Sequence, residues 1–95
     1  MRRKNDEKET ENLKLLGLCY VNLEDYKEGR KVFETVVKYN ADDALSWFYL
    51  ANCYDNLNEF PEAEHAYLEV IKLRENYTDA YKNLAVLYIQ HNKEN

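Results

Sequence analysis

The amino-acid sequence repeats itself with a 34-residue period, and this repeat limits the possible folds more than any other feature. The segment NLEDYKEG begins at Asn22, and the related segment NLNEFPEA begins 34 positions later at Asn56. The same offset relates LKLLGLCY, WFYLANCY and YKNLAVLY, which begin at Leu13, Trp47 and Tyr81. Internal periods of this length are typical of supersecondary units that stack side by side and cover each other's apolar faces.

Each repeat contains two apolar stripes with helical spacing. The first stripe has the spacing i, i+3, i+4, i+7 and consists of Trp47, Leu50, Ala51 and Tyr54. The second consists of Ala63, Ala66, Tyr67, Val70 and Ile71. The chain has only 2 Gly and 1 Pro, which favours helices over a series of β-turns. The pattern therefore predicts helices over 7–22, 27–39, 43–57, 61–74 and 78–91. The stripe residues Trp47, Leu50, Tyr54, Ala63 and Tyr67 are predicted to be largely buried.

The residues between the stripes suit the turns and helix starts that such a pattern needs. Asn58 tolerates a left-handed backbone better than most residues, and Pro61 fits the first turn of a helix. Asp42 or Asp43 can cap the helix that carries Trp47.

The pattern resembles the tetratricopeptide repeat (TPR), a 34-residue helix–turn–helix unit. The family's W-x2-L-G-x2-Y stretch corresponds to WFYLANCY, with Ala51 in place of the usual Gly. The small residue and the following aromatic of the family's second helix correspond to Ala63 and Tyr67. Where the family usually ends a repeat with Pro, this sequence has Ala41 and Glu75. The resemblance implies an all-α solenoid of helical hairpins, with two and a half repeats and five antiparallel helices.

The register also divides the chain. Residues 1–9 form a charged N-terminal extension or the start of the first helix, and residues 10–43 form the first repeat. Residues 44–77 form the second repeat. Residues 78–95 form the first helix of a third repeat, which acts as a C-terminal capping helix.

In the TPR family, the first helices of the repeats line a concave groove that binds peptides or protein segments. The resemblance places nine residues in this groove: Lys14, Leu18, Leu45, Phe48, Tyr49, Asn52, Asn56, Lys82 and Asn83. Asparagine amides can hydrogen-bond the backbone of an extended peptide, and aromatic rings supply flat apolar area. The alternative is that Asn52 and Asn83 occupy ordinary polar surface positions while Phe48 packs against a neighbouring helix.

One known type of TPR ligand is disfavoured. Members that bind the C-terminal carboxylate of Hsp70 or Hsp90 use Lys, Arg and Asn at positions that correspond here to Lys14, Leu18, Tyr49, Asp79 and Asn83. Only Lys14 agrees, and Asp79 would repel a carboxylate. We therefore expect a protein or peptide partner that is not recognised by a carboxylate clamp.

Charge and composition argue against several other functions. The net charge is −5, and residues 44–95 carry four basic and eight acidic side chains, which disfavours nucleic acid and a pentatricopeptide-like RNA binder. No stretch approaches the roughly 18 apolar residues of a membrane span. We expect no cofactor, metal or enzymatic activity, because His65 and His91 lack companion ligands and no phosphate-binding Gly loop occurs. We expect a cytoplasmic location, because the two cysteines are far apart in sequence and form no CxxC motif.

The two cysteines occupy equivalent positions. Cys19 and Cys53 are separated by one repeat period and lie on successive first helices, which are too far apart for a disulfide. We expect both to be small buried residues of a reduced chain.

A second hypothesis is that the chain associates with itself. The segment AYKNLAVLYIQHN spreads apolar residues around much of the last helix, which predicts a homodimer contact through Leu84, Leu87 and Ile89.

Overall fold

A computed structural model describes residues 4–94, with side chains described for residues 7–92. The chain forms five α-helices, α1 (Lys4–Asn22), α2 (Tyr26–Tyr39), α3 (Ala44–Asn56), α4 (Phe60–Leu73) and α5 (Thr78–Glu94). Residues 4–94 contain no β-strand. The predicted all-α fold with five helices is confirmed. The N-terminal segment predicted over 1–9 is helical from Lys4 onward, and residues 1–3 lie outside the described part.

The helices pack in the order of the sequence. Each helix contacts the one before it and the one after it, and α1 also contacts α3. Two hairpins, α1–α2 and α3–α4, therefore stack on one another, and α5 packs against the second hairpin. The first helices of the two hairpins are direct neighbours, so side chains of α1 and α3 can share one face of the molecule.

The turns inside the two hairpins use the same backbone conformation. Asn58 has a φ of 62°, which confirms the predicted left-handed turn position. Glu24, the equivalent residue of the first repeat, has a φ of 60°. A left-handed backbone is uncommon for a residue other than Gly, and Asn tolerates it better than Glu. Two different residue types therefore adopt the same turn geometry at this position of the repeat.

The helix starts largely follow the sequence signals. The carboxylate of Asp43 accepts a hydrogen bond from the backbone N–H of Ser46 at 3.4 Å, so Asp43 rather than Asp42 caps α3. Pro61 lies in the first turn of α4, as predicted. There the missing N–H of proline costs no helical hydrogen bond.

The first aromatic residue of the repeat signature also holds the loop in front of its own helix. The indole N–H of Trp47 donates to the carbonyl of Ala41 at 2.8 Å. The hydroxyl of Tyr81, the equivalent residue of the third repeat, donates to the carbonyl of Glu75 at 2.8 Å. Ala41 and Glu75 are the positions at which the family usually has Pro, so these hydrogen bonds restrain the loops that lack the proline ring.

The apolar stripes form the core, with one correction. Leu50, Ala63 and Tyr67 are buried as predicted. Trp47 and Tyr54, which the register predicts to be largely buried, are only half-buried. Both pack against the core but keep one side at the surface, because they line a pocket between α3 and α4.

The small residues of the first helices show how a covering helix decides burial. A Cβ atom at Gly17 would lie 2.7 Å from Cε2 of Phe33, so α2 approaches α1 too closely for any side chain there. Ala51, the equivalent residue of α3, is fully buried. Ala85, the equivalent residue of α5, is exposed because none of the described helices covers this side of α5.

The cysteines differ from the expectation. Cys53 is buried, and burial raises the pKa of its thiol to about 12, which keeps it protonated. Cys19 is exposed, so the predicted burial is wrong for this residue. The difference arises because α2 packs on the α3 face that contains Cys53, whereas no described helix lies at the corresponding face of α1. Both thiols are free.

Candidate protein-binding face

The nine predicted groove residues, together called the binding face below, lie on α1, α3 and α5. These helices meet at two places. We call the contact of the first hairpin with α3 the first junction, and the contact of the second hairpin with α5 the second junction. Six of the nine residues contact residues from other helices or loops at these junctions, and Asn56 makes a hydrogen bond within α3. Leu45 and Lys82 are exposed, and only their positions on α3 and α5 assign them to this face.

At the first junction, Lys14 forms an ion pair with the residue that caps α3. Its Nζ lies 2.7 Å from Oδ2 of Asp43 and 3.7 Å from Oε1 of Glu11. The hydrogen bond with Asp43 raises the pKa of Lys14. Burial alone would raise the pKa of Asp43, but the hydrogen bond and charge of Lys14 hold it below its usual value. The positive charge of Lys14 is therefore already compensated within the chain.

At the second junction, the equivalent positions carry two rings. Phe48 is the repeat equivalent of Lys14, and Tyr77 is the repeat equivalent of Asp43. The two rings pack together with their centroids 5.3 Å apart. Phe48 also contacts the rings of Tyr49 and Tyr67 at 5.9 and 6.1 Å. Phe48 is thus half-buried and packs on its neighbours, while part of its ring remains at the surface.

A second set of equivalent positions lies deeper, and at the first junction it is apolar. Leu18 and Tyr49 pack against Phe33, which is buried. The rings of Phe33 and Tyr49 are stacked with centroids 5.5 Å apart. Tyr49 belongs to this layer through its ring, and its hydroxyl has no hydrogen-bond partner among the described residues.

At the second junction, the repeat equivalents of Leu18, Tyr49 and Phe33 are Asn52, Asn83 and Tyr67. These three residues are polar and hydrogen-bonded. The hydroxyl of Tyr67 donates to Oδ1 of Asn52 at 2.8 Å, and Nδ2 of Asn83 donates to the same oxygen at 3.4 Å. Tyr67 is fully buried, and burial raises the pKa of its hydroxyl. Burial also raises the pKa of the neighbouring Asp55. Asn52 and Asn83 therefore connect α3, α4 and α5, and this use competes with ligand binding for their polar atoms.

The remaining amide of the face makes a local contact. Nδ2 of Asn56 donates to the backbone carbonyl of Asn52 at 2.8 Å, which leaves the side-chain oxygen of Asn56 at the exposed surface. Lys82 forms no ion pair among the described residues, in contrast to Lys14.

Tyr77 adjoins the nine residues of this face, and the helix pattern missed it. It precedes α5 and so belongs to no helical stripe, yet its ring contacts Phe48. Its hydroxyl, like that of Tyr49, has no hydrogen-bond partner within residues 4–94. Tyr77 lies one repeat period after Asp43, and this offset is the sequence signal that could have identified it.

The residues predicted for self-association need a correction. Leu84 and Leu87 are buried in the same core cluster as Tyr67 and Val70, so they cannot contact another copy. Ile89 is 56% exposed. The prediction is wrong for the two leucines because the sequence pattern does not show which side of α5 packs on α4. The large apolar residues that α5 does expose are Tyr81, Val86, Tyr88 and Ile89.

Other kinds of site find little support in the described part of the chain. Within residues 7–92, no three histidine, cysteine, aspartate or glutamate side chains come together as metal ligands. Across residues 4–94, no helix combines the length and the apolarity that a membrane crossing requires.

Comparison with known sequences agrees with the repeat geometry. A profile of the tetratricopeptide repeat matches residues 15–77, which is more than half of the chain. The chain belongs to the tetratricopeptide repeat family. Repeats of this family generally form non-catalytic interaction modules. No curated protein shows significant similarity to this TPR chain.

Solved structures show the same arrangement of helices. Two structures of MamA, one of them a mutant, match 87% of the chain with TM-scores of 0.83 and 0.82 and identities of 25% and 26%. A structure of a CopN–Scc3 complex matches 97% of the chain with a TM-score of 0.86 at 22% identity. At this low identity, the match supports only the similarity of the fold. The chain spans about half the length of these structures, namely 46%, 45% and 52%.

Proposed function

We propose that this TPR domain binds a segment of another protein on the binding face, without catalysis. The observation that carries the proposal is a partly exposed aromatic surface at the centre of this face. Phe48, Tyr49 and Tyr77 are half-buried against the chain, and two of the three bear hydroxyls without a partner among the described residues. Aromatic side chains of this kind bury a large area and lose little conformational entropy when a ligand binds.

The polar atoms around these rings favour a ligand segment that is extended and weakly charged. The hydroxyls of Tyr49 and Tyr77 and the side-chain oxygen of Asn56 can exchange hydrogen bonds with a peptide backbone. Lys14 is neutralised by Asp43, so an acidic ligand would find only Lys82 free on this face. We therefore expect an apolar, weakly charged segment as the ligand.

The test uses a displayed library of short peptides selected on the wild-type protein, followed by affinity measurements on variants. Leu45→Ala removes an exposed apolar side chain from α3, and Tyr49→Phe removes only a hydroxyl that has no partner in the described part of the chain. Each should weaken the selected peptides about five-fold or more, as interface hot spots do. Phe48→Ala and Asn52→Ala are less suitable because both residues also support the second junction.

The matched control is Leu68→Ala. Leu68 lies on α4 and is 45% exposed, close to the 42% of Leu45, but it does not belong to the binding face. Its replacement should leave affinity unchanged. Equal losses for Leu45→Ala and Leu68→Ala, or normal binding by both face variants, would contradict the proposal.

A second candidate function is self-association through the exposed side of α5. Val86 and Ile89 are 48% and 56% exposed and lie about one helical turn apart, next to the uncovered Ala85. A second copy could bury this surface across a two-fold axis. Sedimentation of the wild-type protein should then show dimers at high micromolar concentration, and Ile89→Glu should restore monomers. A monomeric wild type at that concentration would exclude this function.

A further inference from the structure

A surface pocket lies between α3 and α4 and shares no residue with the binding face. It has a volume of about 370 Å³ and is lined by Trp47, Tyr54, Pro61, Glu62, His65 and Ala66. Trp47 and Tyr54 belong to the packing stripe of α3, and their place in the pocket wall explains why neither is fully buried. The pocket is therefore independent of the proposed function and needs its own interpretation.

The walls of the pocket are mostly ring surfaces. The rings of Trp47 and His65 are stacked with centroids 5.7 Å apart and an interplanar angle of 24°. The indole N–H of Trp47 is bonded to the carbonyl of Ala41, and the hydroxyl of Tyr54 donates to Glu34 at 2.6 Å. Because these polar groups already have partners, the rings of Trp47 and Tyr54 offer mainly their faces and edges to a ligand.

The charges beside the pocket are predominantly negative. Burial is the largest cause that raises the pKa of the Tyr54 hydroxyl. The hydrogen bond and charge of Glu34 and the charges of Glu59 and Glu62 raise it further, so all three carboxylates act on this hydroxyl. Arg30 is the nearby cation, and it is paired with Glu59 at 2.6 Å. Glu62, which lines the pocket itself, forms no ion pair within residues 7–92.

We propose that this pocket binds an arginine side chain of a partner protein. A guanidinium group is planar, stacks on aromatic rings and forms paired hydrogen bonds with a carboxylate. The Trp47 and His65 rings supply the stacking surface, and Glu62 supplies the carboxylate. A lysine ammonium lacks the planar shape that matches these rings, so arginine is the ligand that uses both parts of the pocket.

The test titrates the protein with the blocked tripeptide acetyl-Gly-Arg-Gly-amide. Its citrulline counterpart, which is uncharged but has the same shape, and its lysine counterpart serve as comparison ligands. Trp47 is the only tryptophan, so a two-dimensional NMR spectrum contains a single indole N–H signal. We expect the arginine peptide to shift this signal and the backbone signals of residues 61–66, with a dissociation constant on the order of 1 mM, typical of a single small contact.

Variants separate the parts of the pocket. Glu62→Gln should weaken the arginine peptide about 3-fold to 5-fold, as loss of an exposed ion pair does, and His65→Ala should weaken it independently of charge. Glu75→Gln removes an equal charge beyond the far end of α4 and should have no effect. Leu45→Ala and Tyr49→Phe should also have no effect, so failure here and failure of the binding-face proposal can be distinguished.

Several results would overturn the proposal. Equal shifts with the arginine and citrulline peptides would show that charge is not recognised, and equal shifts with lysine would show that the guanidinium shape is not. Equal losses for Glu62→Gln and Glu75→Gln would mean that only the net charge of the protein attracts the peptide. Shifts that map to the binding face instead of residues 61–66 would place the contact elsewhere.

Discussion

The two junctions of the stack join equivalent positions with opposite chemistry. At the surface, the first junction has the ion pair of Lys14 and Asp43, whereas the second has the ring pair of Phe48 and Tyr77. In the layer below, the first junction is apolar around Phe33, whereas the second is a hydrogen-bonded group around Tyr67. Each junction thus combines one polar and one apolar layer, in reversed order.

This reversal shows that the repeat preserves geometry rather than residue type. The constant offset of the repeat brings the same helix positions together at each junction, and any pair that fills the space and satisfies its polar atoms can occupy them. The reversal also disfavours incorrect stacking. If α5 packed against the first hairpin, Asn83 would meet the apolar Phe33 and lose its hydrogen-bond acceptor, which costs free energy.

The largest expected effects come from the two buried rings at the centres of the junctions. Phe33→Ala and Tyr67→Ala should each lower the free energy of unfolding by roughly 3–5 kcal/mol, because each leaves a cavity in a close-packed core. Urea unfolding followed by circular dichroism measures both. Phe33→Leu is the milder control. A cost below about 1 kcal/mol for either alanine variant would show that its junction is not packed as described.

The next effect compares equivalent small residues that differ in cover. Ala51→Leu should cost roughly 1–3 kcal/mol, because Ala51 is fully buried and the added atoms overpack the second hairpin. Ala85→Leu introduces the same change at the exposed equivalent position and should change stability by less than about 0.5 kcal/mol. Thermal or urea melts of the two variants decide the point. Similar costs for the two variants would contradict the conclusion that a neighbouring helix covers Ala51 but not Ala85.

A double-mutant cycle tests the polar layer of the second junction. Tyr67→Phe alone should cost about 1 kcal/mol, because Asn52 loses its shorter hydrogen bond. Combining it with Asn52→Leu recreates the Leu–Phe pair of the first junction, Leu18 and Phe33. The double variant should be more stable than the sum of the single effects by about 0.5–1 kcal/mol. Strict additivity in urea melts would show that the two side chains are not coupled.

The smallest effect concerns pH. The pair of Lys14 and Asp43 stabilises the fold above the ordinary Asp pKa of 3.8, and this contribution is lost as the pH falls through the lowered pKa of Asp43. Lys14→Met should cost up to about 1 kcal/mol at neutral pH, and the cost should shrink in acid and in high salt. Urea midpoints measured across the acid range test this.

Lys82→Met provides the control for the pH experiment. Lys82 occupies the position equivalent to Lys14 in the third repeat but forms no ion pair among the described residues, so its replacement should show no comparable pH dependence. At the second junction the equivalent pair, Phe48 and Tyr77, carries no charge in acid. A cost for Lys14→Met that stays constant as the pH falls would show that the ion pair does not stabilise the first junction.

The repeat register predicted much of the fold because its signals are local. Helical stripes, the left-handed turn at Asn58 and a cap at Asp42 or Asp43 all depend on residues close together in the sequence. The register also placed the nine residues of the binding face on α1, α3 and α5. It could not identify the partner of Lys14, the inward hydrogen bonds of Asn52 or the ring of Tyr77, since each involves a residue from another helix or from a loop.

The sequence by itself thus determined the helices, their order and the family, because apolar periodicity and a constant offset leave few other ways to bury these side chains. The tertiary structure decided which equivalent residues are covered. Gly17, Ala51 and Ala85 occupy one position of the repeat, yet only the first two meet a partner helix within the described part of the chain. Leu87 is buried while Ile89, two residues later and on the opposite side of the same helix, faces solvent. Burial depends on which neighbouring helix covers each face, and a single helix's residue pattern does not contain that information.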